Sequence, residues 1–254
     1  MTALRVAAVT HVGAVRTENQ DCLLIDGWVS AADGGWSDAR QLASAGPAYV
    51  VAVFDGLGGH AGGSVASRIA ALTLGASAWP GIEPDVVRDR VERAAVNVQT
   101  ASDDVRGLRG LGTTVAGIAL GPSGFCVFNV GDSSVFRAMG GYVGELTVPD
   151  RHFGPDGSGR LSQSLSVYTA VPAPHVETFP IPRPLRLLVC SDGLTDAVNH
   201  DELGSALGDD VGVPGRADAA ARALLAAALR AGAPDNVSLV VVDVLPGAEA
   251  GGDQ

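Results

Sequence analysis

Short, apolar, β-branched runs recur along this chain, and several of them end at an aspartate. Residues 49–54 (YVVAVF) run into Asp55-Gly56, residues 125–130 (FCVFNV) into Gly131-Asp132, and residues 186–190 (RLLVC) into Ser191-Asp192-Gly193. Asp235 stands just before the last such run, 237–244. Runs of this length with no apolar-polar alternation read as buried strands. A carboxylate at the end of a buried strand is costly unless something compensates it. One compensator is a hard divalent cation, Mg²⁺ or Mn²⁺, which takes carboxylate, carbonyl and water oxygens. The other reading is local: Asp-Gly is a common turn dipeptide, and any one of these aspartates taken alone fits a turn.

The remaining pattern decides how such strands are connected. Residues 4–10 and 23–25 read as early strands, and the Gly-, Ala-, Ser- and Asp-rich stretch 27–47 as a surface loop. Helical spacing follows over 64–78, with Val65, Ile69, Leu72 and Ala76 on one face, and over 85–103, with Val87, Val91, Ala94 and Val98 on one face. Residues 113–120, 125–130, 135–139 and 142–146 read as strands separated by Gly-containing turns, which suggests an antiparallel meander. A polar loop over 150–160, strands over 175–179 and 185–190, helices over 202–207 and 216–230, and the strand 237–244 complete the chain. Residues 247–254 read as a disordered tail. Two helices, a strand block, two more helices and a strand do not alternate as βαβαβ. The order favours antiparallel sheets with helices packed outside.

Composition removes several chemistries. All 17 cationic side chains are arginine, so no phosphate-loop, kinase-type or Schiff-base lysine is available. The net charge of -11 repels nucleic acid and anionic lipid as bulk partners. No stretch approaches the roughly 18 consecutive apolar residues of a membrane helix, and the run at 6–9 is too short for a signal-peptide core. The expectation is a soluble cytoplasmic protein, with Cys22, Cys126 and Cys190 as structural thiols. The five histidines fall in no zinc spacing, and no GxSxG serine motif is present. His60 lies inside a glycine-dense turn, 54–63 (FDGLGGHAGG), of the kind that lets backbone approach an ion or phosphate.

Taken in order, the segments resemble the metal-dependent protein serine/threonine phosphatases (the PPM family, or type 2C phosphatases) in their bacterial form. Residues 13–21 (GAVRTENQD) resemble the opening R-x-x-N-[EQ]-D motif, and 53–67 (VFDGLGGHAGGSVAS) the D-G-[ML]-G-G-H segment. Residues 112–114 match GTT, 130–134 (VGDSS) resemble V-G-D-S-R, 188–196 (LVCSDGLTD) resemble L-x-x-S-D-G-[LV]-x-D, and 232–238 (GAPDNVS) resemble G-x-x-D-N-[VI]-[ST]. The resemblance spans residues 6–244.

It implies an α+β fold, a four-layer α-β-β-α sandwich of two central antiparallel sheets flanked by helices, with a catalytic domain over 1–246. It also implies roles. Asp55 bridges two metals, with the Gly56 carbonyl on one of them; Asp192 and Asp235 complete the first metal. Asp132, with Asp192 and Asp196, matches a weaker third-metal site. Arg16 is the phosphate clamp, and Asp21 and Asn236 sit close around the site, Asp21 as a further metal residue. The implied cofactor is Mn²⁺ or Mg²⁺, two or three ions. The implied reaction is hydrolysis of phosphoserine or phosphothreonine by direct attack of a metal-bridging water, with Arg16, Asp55, Asp192 and Asp235 as the catalytic set. The implied partner is a phosphorylated protein, such as a Ser/Thr kinase or its targets.

The chain departs from the family pattern at three places. Gln20 stands where many members have Glu, which implies a weaker hold on the waters around the second metal. Ser134 stands where the motif has Arg, which removes a cation beside the acidic cluster. Only residues 153–163 lie between the segments resembling the "DHS" motif (Asp150-Arg151-His152) and the "R-x-L-G" motif (Ser164-Leu165-Ser166), so the flap over 150–165 is expected to be shortened. The loop 27–47 looks long and is expected to reach toward substrate. These departures keep a second hypothesis open, a weakly active or inactive phosphatase-fold regulatory or binding protein, and the motifs do not separate a protein substrate from small phosphoesters.

Overall fold

Two six-stranded antiparallel sheets lie face to face and carry helices on their outer faces. The structure is a computed structural model and describes residues 2–30, 33–42, 47–57, 61–104, 110–122, 124–153, 159–169, 171–182 and 184–246. One sheet runs in the order Tyr142–Glu145, Ser134–Met139, Leu185–Cys190, Val237–Pro246, Thr2–His11, Gly34–Leu42. The other runs His175–Pro180, Gly124–Val130, Val115–Leu120, Tyr49–Phe54, Cys22–Ile25, Trp28–Val29. The fold is the expected α+β sandwich.

Side-chain alternation builds the layers. Along Tyr49–Phe54, Val51 and Val53 point between the sheets and meet Val6, Val189, Val240 and Val242. Val50, Ala52 and Phe54 point the other way, onto Ala66, Ala70, Leu74, Val91 and Val98 of the helices Ala61–Gly75 and Pro84–Asp104. In the facing sheet, Leu239 and Val241 point outward onto Leu194, Leu203 and Leu224, carried by the helices Asp192–Thr195, His200–Leu207 and Arg216–Arg230. Both faces of the central strands are therefore covered, which is why their sequences are continuously apolar. Each such buried Val or Leu contributes about 1.5–3 kcal/mol by leaving water.

Four expectations are corrected. The stretch 27–47 contains two strands, and Gly34–Leu42 pairs with Thr2–His11 at a sheet edge, from Thr10↔Gly34 to Thr2↔Leu42. A polar edge strand carries no core pattern, so its sequence looks like a loop. The strand block is not one meander: Val115–Leu120 pairs with Gly124–Val130 in one sheet, while Ser134–Met139 and Tyr142–Glu145 belong to the other. The chain changes sheets at Gly131 (φ +102°), where a Cβ would fall 2.7 Å from the Thr114 side chain. In the first helix the buried face is Ala66, Ala70, Ala71 and Leu74, and Leu72 is half exposed. Small alanines let this helix lie close to the sheet, so of the face that the spacing picked out Ile69 packs at the edge of the core while Leu72 turns to solvent. Finally, the loop 150–160 includes a two-stranded ribbon, Arg151–Phe153 with Gly159–Leu161.

His60 and the tail 247–254 lie outside the described residues, as does 154–158, the tip of the segment read as a shortened flap. No helix among the described residues is long and apolar enough to cross a membrane. The three cysteines are buried and free. Burial pushes all three thiols up, Cys126 to about 11, so they stay protonated.

Candidate metal centre

The strand ends of both sheets converge at one end of the sandwich, and they bring the aspartates together. Asp55 follows Tyr49–Phe54 and Asp21 precedes Cys22–Ile25 in one sheet; Asp192 follows Leu185–Cys190 and Asp235 precedes Val237–Pro246 in the other. Arg16, Thr17, Gln20, Asp55, Gly56, Asp192, Asp235 and Asn236 all line one open cleft of about 510 Å³.

Asp55 is the best-fixed member. Its backbone N–H donates to Thr114 Oγ1 (3.1 Å), and its carbonyl accepts from the Thr113 hydroxyl (2.9 Å) and the Thr114 N–H (2.9 Å). This gives the GTT motif its purpose: two threonines from the neighbouring strand clamp the backbone beneath the carboxylate. Gly56 is pressed against the next turn, where a Cβ would sit 2.3 Å from the Gly63 carbonyl oxygen, so no larger residue fits.

The loop that carries Arg16 and Asp21 is stapled by Asn236. Its amide donates to the Val12 carbonyl (2.8 Å) and the Glu18 carbonyl (2.9 Å), and its Oδ1 accepts from the Gln20 N–H (2.8 Å). Asn19 donates to Thr10 Oγ1 and to Asp33 Oδ1, both at 2.8 Å. Asp33, in the stretch expected to reach for substrate, thus braces this loop. Ser191 donates to Asp21 Oδ2 (2.8 Å).

The electrostatics are those of crowded, under-compensated carboxylates. Burial, then the charges of Asp21, Asp192 and Asp235, hold Asp55 well above the usual carboxylate range. Asp21 is pushed up to about 7, chiefly by burial, with the Ser191 hydroxyl pulling it back. Asp192 rises to about 6 through burial and through Asp132 and Asp196, with Arg151 opposing. The other Asp21 oxygen, Oδ1, is buried with no hydrogen-bond partner among the described residues. An orphaned buried carboxylate oxygen in an all-oxygen donor set fits a hard divalent cation. At 1.36 kcal/mol per pKa unit, ionising Asp21 alone costs roughly 4 kcal/mol more than in water, a cost a bound cation would offset.

Arg16 lies on the rim. Its Nη2 donates to Asp235 Oδ2 at 2.6 Å, with the two side chains 55% and 40% exposed. A pair this exposed contributes only about 0–1 kcal/mol, so Arg16 is free to turn to another anion. Asp132 and Asp196 do not face the cleft directly. They surround Arg151, whose Nε lies 2.5 Å from Asp132 Oδ2, Nη2 2.8 Å from Asp192 Oδ2, and Nη1 3.7 Å from Asp196 Oδ1. The sequence reading missed Arg151. It stands 19 residues from Asp132 and 41 from Asp192, and its only signal was its place inside the segment resembling "DHS". Ser134, where the motif has arginine, donates to Glu145 Oε1 at 2.8 Å and is well buried.

The sequence model described as "Protein phosphatase 2C" matches residues 36–230, most of the chain. The chain belongs to the protein phosphatase 2C family. It is 31% identical over 258 residues to the serine/threonine protein phosphatase PstP of Mycobacterium tuberculosis, covering 95% of this chain and 45% of PstP, so it spans about half the length of that relative. It is 24% identical to the protein phosphatase PhpP of Streptococcus pneumoniae, covering 95% of this chain and 98% of PhpP. The crystal structure of the PstP catalytic domain in complex with two manganese ions superposes with a TM-score of 0.78 at 26% identity, covering 97% of this chain and 100% of that domain.

Proposed function

We propose that this protein phosphatase 2C family member is a metal-dependent phosphoprotein phosphatase that hydrolyses phosphoserine and phosphothreonine, with residues 1–246 as its catalytic domain. The observation that carries the reading is Asp55, a backbone-clamped carboxylate held well above its usual range among Asp21, Asp192 and Asp235. Asp55, the Gly56 carbonyl, Asp192 and Asp235 would hold two Mn²⁺ or Mg²⁺ ions, with Asp21 and Asn236 behind them. When bound, such ions supply activation of water and charge neutralisation at phosphorus.

The protein's own groups bind and orient the substrate. Arg16 can leave its exposed partner Asp235 and present its planar fork to two phosphate oxygens. Asn236 fixes the loop on which Arg16 rides, so the clamp is aimed at the carboxylates rather than at solvent. The cleft is open, which suits a phosphorylated side chain presented by a protein, such as a kinase or a kinase target. Three free buried thiols suit a reducing, cytoplasmic setting.

The test is turnover of a phosphothreonine peptide and of p-nitrophenyl phosphate with Mn²⁺, with Mg²⁺ and with EDTA. Mn²⁺-stimulated release of phosphate that EDTA abolishes is expected. Equal rates with and without metal would overturn the reading. Turnover of the small ester but never of the peptide would remove the protein substrate.

A further inference from the structure

Arg151 lies where the family resemblance places a third metal ion. We propose that its guanidinium is a built-in cation for Asp132, Asp192 and Asp196, so that this chain takes two divalent ions and not three. The inference rests on the two-metal reading above and concerns only the outer carboxylates.

Three different nitrogens of one side chain address three different carboxylates, at 2.5, 2.8 and 3.7 Å. Asp132 is 7% exposed and Arg151 26%, so the short contacts are shielded, while Asp196 at 55% is the loose member. A guanidinium keeps its charge at any ordinary pH and matches carboxylate geometry. Mg²⁺ needs oxygens at about 2.1 Å in a near-octahedral shell. The Oδ2 atoms of Asp132 and Asp192 already accept from Arg151, so an ion there would have to displace an arginine of like charge.

The backbone keeps Arg151 in place. Asp150 N–H donates to the Gly131 carbonyl and Asp150 Oδ2 accepts from the Gly131 N–H, both at 2.9 Å. Asp150 Oδ1 accepts from Gln163 Nε2 (2.9 Å) and contacts His175 Nε2 (3.0 Å). Residue 151 is thereby locked beside residue 132, and the ribbon pairing with Leu161 fixes the direction of the chain. Because Asp192 also lines the cleft, Arg151 acts as a positioning residue for a proposed metal ligand.

The test is the number of Mn²⁺ ions bound per chain, by equilibrium dialysis with elemental analysis, on the full chain. Wild type is expected to bind two. Arg151→Ala and Arg151→Gln are expected to bind three, the third being the weakest and lost again when Asp196→Ala is added. Arg151→Lys, which keeps the charge, is expected to stay at two. Circular dichroism checks that each variant is folded, and the glutamine variant serves if the alanine variant is not. Three ions in wild type, with one lost in Asp196→Ala alone, would overturn the proposal, as would two ions in both folded neutral variants. Fewer than two ions in wild type would overturn the two-metal reading itself, a distinct outcome.

Discussion

Two clusters of arginine and aspartate sit in this molecule, and they are built on opposite plans. In the sheet interior, fully buried Arg186 meets fully buried Asp243 across paired strands, Nε to Oδ1 at 2.6 Å and Nη2 to Oδ2 at 2.8 Å. Asp243 also accepts from the Gly212 N–H, and Arg186 donates to the Leu207 carbonyl; Asp210 and Arg216 extend the group outward. There the charges balance and the polar atoms are paired. At the end of the sandwich carboxylates outnumber arginines, and a buried oxygen of Asp21 has no partner among the described residues. The first arrangement stabilises a fold. The second destabilises the metal-free chain locally, and its surplus charge is what a cation-dependent enzyme requires.

The same substitution in each cluster separates the two plans. Asp55→Asn is expected to lower Mn²⁺-dependent turnover by about 10³-fold or more, as loss of several kcal/mol of metal assistance requires. It should leave the melting temperature of the EDTA-treated protein unchanged or higher, because a crowded carboxylate has been neutralised. Asp243→Asn is expected to do the reverse. It strands a buried guanidinium and costs about 3–5 kcal/mol, read in urea unfolding, while kcat per folded molecule stays near wild type. A strongly destabilised Asp55→Asn, or an inactive but stable Asp243→Asn, would erase the contrast.

Smaller effects sharpen it. Arg16→Ala is expected to raise KM roughly tenfold with a lesser change in kcat, because its pair with Asp235 is exposed and contributes little to stability. The pH dependence has a definite sign. Asp21 and Asp192 are raised to about 7 and about 6, so the metal-free folded chain binds more protons than the unfolded chain between about pH 4 and 7. Their contribution to metal-free stability is full below the ordinary aspartate range and is lost as pH rises through those values. Mn²⁺ competes with the same protons, so its affinity should weaken by roughly tenfold or more from pH 8 to pH 6, measured by calorimetry in both buffers.

Strand-end aspartates were legible in the sequence as positions, and ordered motifs gave them roles. Covered strands such as Tyr49–Phe54 and Leu185–Cys190 were legible because both faces are apolar. Gly34–Leu42 was not, because an edge strand made of GGWSDARQL owes its place to backbone pairing with Thr2–His11. The sheet change at Gly131 was hidden for a similar reason: Gly-containing turns mark hairpins and crossovers alike. Arg151 was the largest omission. Its partners come from a sheet crossover and a strand end far along the chain, and nothing in the local sequence says that an arginine after Asp150 will reach them. Thr113 and Thr114 were recognised as a motif, but their grip on the Asp55 backbone needed the pairing of Gly56 with Thr113.

The most direct measurement is a crystal grown with Mn²⁺ and examined at the manganese absorption edge. Two anomalous peaks against Asp55, with Asp192 and Asp235 on one of them, and an ordered Arg151 between Asp132 and Asp192, are the expected result. No peak at Asp55, or a third peak between Asp132 and Asp196 with Arg151 swung away, would contradict the account.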